Sequence, residues 1–319
     1  MMRLREIPPE RYARDVLPFT AALWAGRRSL SEYVAQTLEI ARSPFGRRHY
    51  CTIGLYDGAL CAATFKRYDR EIACGPRRLR ALGFGAVFTP KPNRGRGYGS
   101  VMVAMALDAA RRDGYDLGFL FSDIRPQFYA ELGFRELPSR RFSLRAGLLP
   151  AARIGPARLR ERDWNGVRRL FGESARRRAP GFLRDASTWG WIALRMRKAS
   201  ERANGHETNL VVRRRGGVAA YVFGARNPAR DAFELDELGC MPESAELGAA
   251  LLRSAAGDLR RITGWLPPDG YRELLPAPSV RKRGRAILMM APLSSEGEEL
   301  ISSFASRPRA DFCWPNDHV

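Results

Sequence analysis

The most constraining feature of the sequence is a glycine-bearing segment at residues 89–100, which joins a predicted strand to an apolar helix. It reads Thr-Pro-Lys-Pro-Asn-Arg-Gly-Arg-Gly-Tyr-Gly-Ser. Its three glycines let the backbone approach a bulky anion. The amides at the helix start point outward, with the positive end of the helix dipole behind them. The segment therefore predicts a cradle for a diphosphate at a strand-to-helix turn.

Three kinds of loop share this physical logic: nucleotide-binding βαβ turns, Walker loops and acyl-CoA loops. The Walker pattern fails because no Gly-Lys-Ser/Thr follows the glycines. A dinucleotide fingerprint would open the first βαβ unit of the chain. Here the strand before the loop is preceded by a hairpin signal, Asp57-Gly58 between apolar runs, so the sheet begins antiparallel. The acyl-CoA loop is the pattern that fits best.

The first half of the chain reads as a mixed sheet with helices on its faces. In chain order, the periodicity predicts helices over 11–25 and 30–42, a strand hairpin over 50–65, a strand over 79–89, a helix over 99–112, a strand over 117–122, a helix over 127–132 and a strand over 141–144. The Gly and Pro residues between 145 and 156 are typical of a linker.

The same order of elements follows that linker, which suggests an internal duplication. The pattern predicts helices over 163–177 and 186–199, strands over 209–213, 218–223 and 233–238, a helix over 245–256 and a strand over 261–266. We therefore expect an α/β protein with two tandem domains, 1–145 and 157–293, joined by a linker at 146–156. The polar residues 294–319 are expected to form a tail that extends as an arm.

Two motifs in the first half resemble the GNAT superfamily of N-acetyltransferases. The run Arg94-x-x-Gly97-x-Gly99 matches the acetyl-CoA loop of that family, Gln/Arg-x-x-Gly-x-Gly/Ala. About thirty residues on, Gln127-Phe-Tyr-Ala-Glu-Leu-Gly-Phe134 is similar to the family's Phe-Tyr-x-x-Leu-Gly-Phe box. The resemblance covers about residues 1–145. It implies acetyl-CoA as co-substrate, no metal, and direct attack of a primary amine on the thioester.

The resemblance also implies roles for individual residues. Tyr129 matches the tyrosine that commonly donates a proton to the departing CoA thiolate. The implied cofactor-binding residues are Val87, Phe88, Thr89, Arg94, Gly95, Arg96, Gly97, Tyr98, Gly99, Ser100, Ser122 and Asp123. Arg94 lies four residues beyond Pro90 where the family usually has three, so the turn carries an extra residue. Asp123 and Glu32 are candidates for the general base, and Glu32 has a plain alternative as a helix cap.

Two GNAT repeats in one chain resemble the enhanced-intracellular-survival aminoglycoside acetyltransferases and mycothiol synthase, and the N-terminal loop favours the former. The second half is expected to be degenerate. Its segment at 241–248 lacks the arginine and the paired glycines and adds carboxylates that repel phosphate. The sequence after Leu293 is too short for the sterol-carrier-like domain of the first group. In that group the general base is the terminal carboxylate of the chain, a part that Val319 could play here only if the tail folds back.

The amino-acid composition indicates which partners and which cellular compartment to expect. The 54 Lys+Arg against 34 Asp+Glu give a formal charge of +20, which attracts acidic ligands. The arginines are scattered and not interleaved with aromatics, which argues against nucleic acid as the partner. Five cysteines without CxxC spacing fit reduced thiols in the cytoplasm. No stretch approaches the ~20 apolar residues of a membrane span. The isolated histidines at 49, 206 and 318 read as surface or packing residues.

Two other functions stay open at this level. The chain could bind CoA as a sensing or interaction module without catalysis, or its charge could dock nucleic acid or an acidic protein. The acceptor is not readable either: small amino compounds, amino acids and protein amines all remain. The sequence also leaves homo-oligomerisation open.

Overall fold

The computed structural model describes residues 1–123, 125–177, 180–202, 206–268, 270–271, 274–305 and 311–319. Its first half contains, in order, β1 Met2–Ile7, α1 Pro9–Asp15, α2 Leu17–Trp24, α3 Leu30–Arg42, α4 Pro44–His49, β2 Tyr50–Asp57, β3 Leu60–Cys74, β4 Arg77–Phe88, α5 Tyr98–Arg112, β5 Leu117–Ser122, α6 Pro126–Ala130, β6 Arg135–Glu136 and β7 Arg140–Arg145.

The second half repeats the alternation of helices and strands. It contains β8 Ala157–Arg158, α7 Trp164–Arg177, β9 Gly181–Phe182, α8 Ala186–Arg202, β10 Leu210–Arg214, β11 Gly217–Asn227, β12 Ala232–Cys240, α9 Ala245–Ala256, β13 Arg261–Trp265, β14 Ser279–Lys282, β15 Ile287–Pro292 and α10 Ser295–Ala305. The predicted α/β class is therefore confirmed.

The strands form two mixed sheets. The first has the order β1-β2-β3-β4-β5-β15-β6, with β9 paired to β3, and the second has the order β14-β7-β13-β12-β11-β10-β8. Each half therefore gives a six-residue strand to the sheet of the other, and the second half also gives the short β9 to the first sheet. β7, predicted as the last strand of the first half, pairs with β13 and β14. β15 returns to pair with β5 of the first sheet.

Local signals explain the elements around the loop. Helix α5 buries Met102, Val103, Ala106 and Ala110 at helical spacing against the first sheet, and Gly114 follows it in the left-handed region at a φ of 73°. The predicted helix at 11–25 is instead two helices. Pro18 cannot donate to the carbonyl four residues earlier, so α1 ends and α2 begins at this point.

The predicted extended arm after Leu293 was wrong, because the segment contains helix α10. Ser294 accepts a hydrogen bond from the amide of Gly297 (3.1 Å), which starts the helix. Leu300, Ile301 and Phe304 form its apolar face and are buried in the same core as β15. Ser295 and Ser302 are exposed on this helix, and Ser294 lies just before its first residue.

Buried ion pairs hold the last residues of the chain between the two halves. Asp317 accepts a hydrogen bond from Nε of Arg184 (2.9 Å) and lies 3.5 Å from Nη2 of Arg70. Arg184 also pairs with Glu237 (2.8 Å), which accepts a further bond from Asn316 (2.8 Å). Because all four charged side chains are almost fully buried, this network sets where the two residues after Asp317 lie.

Candidate active site

The site begins where two parallel strands separate. β4 and β5 pair only as far as Phe84 opposite Leu120. β4 continues to Phe88, and Ala86 within it has a φ of 44°, at the point where its register against β3 shifts. β5 continues to Ser122 and pairs on its other side with β15. In the described residues, the backbone of 85–88 therefore faces an opening on the β5 side, into which an extended arm can be added as a pseudo-strand.

The glycine-bearing loop follows directly. Gly95 and Gly97 have φ of 79° and 76°, which favour glycine, and a Cβ added at either position would meet no atom within 4 Å. Gly97 is the N-cap of α5 and has no side chain to cover the first-turn amides. These amides and the helix dipole face open space, which fits an incoming diphosphate. The extra residue of the turn is taken up in a 3-10 turn, Lys91–Asn93.

A cavity of about 880 Å³ joins the strand opening, the loop and α6. Twelve of the predicted site residues line it: Val87, Phe88, Thr89, Arg94, Gly95, Gly97, Tyr98, Gly99, Ser100, Ser122, Asp123 and Tyr129. Arg96 is exposed and does not line it. The Tyr98 side chain is buried and donates to Asp57 (3.1 Å), so this residue presents its backbone to the helix start. Nε of Arg94 donates to the Thr89 carbonyl (3.1 Å).

Tyr129 enters the cavity from α6, a short helix that Pro126 begins. Its ring is half-buried and packs edge-on against Phe128 and Phe134, with centroids 5.0 and 5.9 Å away. Burial raises the pKa of the Tyr129 hydroxyl to about 12. The group is therefore protonated at neutral pH and is able to donate a proton.

The two carboxylates proposed as bases lie in different places. Asp123 lines the cavity, and its Oδ1 accepts a hydrogen bond from the amide of Ala286 (2.9 Å). Glu32 forms a capping box with Ser29 at the start of α3: its carboxylate accepts from the Ser29 amide (2.7 Å), and its own amide donates to Oγ of Ser29 (3.2 Å). The structure thus favours the plain alternative for Glu32.

Sequence reasoning missed most of a second wall of the same cavity, and named Val319 in it only on the condition that the tail folds back. This wall is built from α2, α3, β3, α8 and the end of the chain, and includes Trp24, Arg28, Tyr33, Lys66, Tyr68, Trp191, Arg195, His318 and Val319. Nothing in the sequence links these segments, because they lie up to two hundred residues from the loop. Only the buried network around Asp317 brings the chain end to this place.

His318 was predicted to be a surface or packing residue, and it is both a packing residue and part of the cavity wall. Its ring lies 4.8 Å from that of Phe121 and 5.9 Å from that of Trp265, measured between centroids. Burial, and then the charge of Arg195, lower the pKa of His318 to about 4. The imidazole is therefore neutral at pH 7 and accepts a proton less readily than an ordinary histidine.

In the second half, the helix start that corresponds to the loop is that of α9. Glu243 lies just before it and pairs with Arg177 (3.0 Å), and Glu246 lies in its first turn. Carboxylates at this end of a helix oppose the binding of a phosphate. The absence of a CoA site in this half stays a prediction.

Residues 27–137, which include the loop and Tyr129, match the family model described as an acetyltransferase (GNAT) domain. This part of the chain is therefore similar to GNAT acetyltransferase domains. A lysine acetyltransferase from Yarrowia lipolytica is 33% identical over 110 residues. That match spans 32% of this chain and 28% of the relative, so the chain matches little more than a quarter of the relative's length.

Solved structures extend the likeness beyond the GNAT domain. A GCN5-related N-acetyltransferase from Kribbella flavida has a TM-score of 0.66 at 21% identity, covering 93% of this chain and 73% of that one. Eis1 from Mycobacterium abscessus has a TM-score of 0.63 at 14% identity, covering 92% of this chain and 74% of that one. The fold of most of this chain is therefore the fold of these proteins.

Two further observations concern the cysteines and the apolar character of the helices. The five cysteines are free thiols. No helix in the described part of the chain has the length and apolar character to cross a bilayer.

Proposed function

We propose that the protein transfers the acetyl group of acetyl-CoA to a primary amine by direct attack. One observation carries this proposal: a single cavity joins the open helix start, the separated strands and Tyr129. In this arrangement the first-turn amides of α5 and the Arg94 guanidinium bind the diphosphate. The pantetheine arm extends along residues 85–88, which carries the thioester towards Tyr129.

The reaction needs no nucleophile from the protein. The neutral amine attacks the thioester carbonyl, a C–N bond forms, and the C–S bond breaks as the tetrahedral intermediate collapses. The Tyr129 hydroxyl gives its proton to the departing sulfur. Asp123 is a carboxylate on the described cavity wall that can accept the proton lost by the amine.

The acceptor amine of a lysine is the first to test, because the matched relative from Yarrowia lipolytica is a lysine acetyltransferase. We place this activity in the cytoplasm, where free thiols persist. We also propose the division into 1–145, a linker at 146–156, and 157–293, with 294–319 as the tail. β7 and β15 then tie the two domains together by crossing between their sheets.

Release of CoA from acetyl-CoA in the presence of primary amines tests the proposal, with mass spectrometry of the acetylated product. Amine-dependent release supports transfer. Binding of acetyl-CoA with no transfer to any amine would instead favour a sensing or interaction module. A salt-dependent shift with nonspecific DNA would point to nucleic acid.

A further inference from the structure

The cavity wall has a strong excess of positive charge. Among its described residues, the cationic side chains are Arg28, Lys66, Arg94, Arg125 and Arg195, whereas Asp123 is the acidic side chain. Arg94 belongs to the loop that would hold the cofactor diphosphate. Lys66 lies on β3 and Arg195 on α8. Diphosphate binding at the loop therefore does not explain why these two cations line the cavity.

Lys66 and Arg195 lie on one aromatic surface of the cavity. Nζ of Lys66 is 5.7 Å from the ring centroid of Tyr50, whose ring is 5.2 Å from that of Tyr68. The Tyr68 ring is 6.3 Å from that of Trp191, and the Arg195 guanidinium lies 4.6 Å from the Trp191 centroid. Four of these residues line the cavity, Lys66, Tyr68, Trp191 and Arg195, and we call them the aromatic–cationic wall. Packed rings hold both cations in place, because rigid side chains leave them little freedom.

The hydrogen bond that Arg195 donates goes to a neutral group. Nη1 of Arg195 donates to the carbonyl of His318 (2.9 Å). Burial lowers the pKa of Arg195, and electrostatic interactions with Tyr68, Asp236 and Asp317 oppose this effect. In the described residues, Lys66 has ring contacts with Tyr50 and Tyr12 and no ion pair with a carboxylate.

Arg28 is a further cationic side chain that lines this cavity. Its guanidinium donates to the carbonyl of Ala25 (2.7 Å), the carbonyl of Trp24 (2.5 Å) and the amide oxygen of Gln36. These three acceptors are uncharged oxygens.

A buried cation is costly unless an anion accompanies it. An oxyanion entering this wall would receive charge-assisted hydrogen bonds. A polycation would meet repulsion from several cations at once. The positive charge of the wall therefore favours amines that also carry an anionic group over amines that carry further positive charges.

We propose that the acceptor is an amine that also carries a carboxylate or phosphate group, and that Lys66 and Arg195 bind this oxyanion while the amine faces the thioester. The inference rests on the proposed acetyl transfer. It names the class of substrate as amino acids or amino phosphates, and excludes polyamines and polycationic amino sugars.

Matched acceptors test this inference through kcat/KM, measured by CoA release. Lysine is compared with lysinamide and pentane-1,5-diamine, and O-phosphoethanolamine is compared with ethanolamine. We expect the oxyanion-bearing member of at least one set to exceed its partners by about ten- to a hundredfold. The set that shows the preference identifies a carboxylate or a phosphate. Transfer with equal kcat/KM within both sets would overturn the inference and leave the acetyltransferase proposal standing, whereas no transfer to any amine would overturn both.

Variants locate the preference on the wall. Lys66→Met and Arg195→Gln should reduce the ratio of the oxyanion-bearing acceptor to its partner towards one, and Lys66→Arg should retain it. Lys282→Met is the matched control, because Lys282 is exposed on β14 and pairs with Glu136 (2.7 Å). If Arg195→Gln fails to fold, the comparison of Lys66→Met with Lys66→Arg still tests the inference. A full preference in Lys66→Met would contradict the assignment.

Discussion

Replacing Gly97 by alanine is expected to weaken CoA binding while the protein stays folded. Gly97 is exposed at the start of α5 with φ 76° and ψ 0°, and an added Cβ would meet no atom within 4 Å. The substitution therefore causes no steric clash. Its cost is conformational, because an L-residue in the left-handed region is about 1–2 kcal/mol less stable than in the right-handed one.

The size of the effect depends on whether the strained conformation is present in the free protein or only in the CoA complex. In the free variant, the exposed loop can relax to a negative φ at residue 97. The diphosphate needs the first-turn amides in their present orientation, so binding must restore the left-handed conformation. At about 1.4 kcal/mol per tenfold change in affinity, the Kd for CoA should rise by roughly 5- to 30-fold.

Isothermal titration calorimetry with CoA measures this change, and thermal unfolding checks the fold. Gly75→Ala is the matched control. Gly75 lies in the exposed turn between β3 and β4 with φ 60°, has no atom within 4 Å of an added Cβ, and is not part of the cavity. Wild-type affinity in Gly97→Ala, or an equal loss of affinity in both variants, would refute the reasoning.

Three further outcomes are expected. Tyr129→Phe should lower kcat by about a hundredfold with little change in CoA affinity, because it removes only the proton donor; steady-state kinetics with unchanged turnover would exclude Tyr129 from the mechanism. Asp317→Ala should lower the free energy of unfolding by about 3–5 kcal/mol, because Arg70 and Arg184 stay buried without this partner; a loss below about 1 kcal/mol in urea titration would contradict this. The lowered pKa of His318 means that the unfolded chain takes up its proton first, so this contribution to stability is complete above pH 6.5 and is lost as the pH falls to about 4. His318→Phe should therefore lose less stability on acidification than the wild type, and equal losses would contradict the assignment.

Local signals were enough to predict the cofactor end of the site. The left-handed glycines at 95 and 97, the apolar face of α5 and the aromatic box around Tyr129 each depend on neighbours within a few residues. For this reason, twelve of the predicted residues line one cavity. Arg96 lies outside it, because alternation along a loop does not determine which side chain turns inward.

The acceptor end could not be predicted in this way. Lys66 and Arg195 look like ordinary solvated cations in the sequence, and His318 like an isolated histidine. Their character comes from the rings and backbone packed around them, which lie on other elements. Burial and the surrounding charges then shift their properties, as the lowered pKa values of Arg195 and His318 show.

The amino-acid sequence by itself determined the order of helices and strands, the glycine-bearing helix start and the position of the tyrosine, because backbone conformation and amphipathic period are local properties. Only the tertiary structure decided that β7 and β15 exchange between sheets and that the chain end enters the cavity. Strand pairing and buried ion pairs join residues that are far apart in the chain, and their free energy exists only when both partners have been brought together.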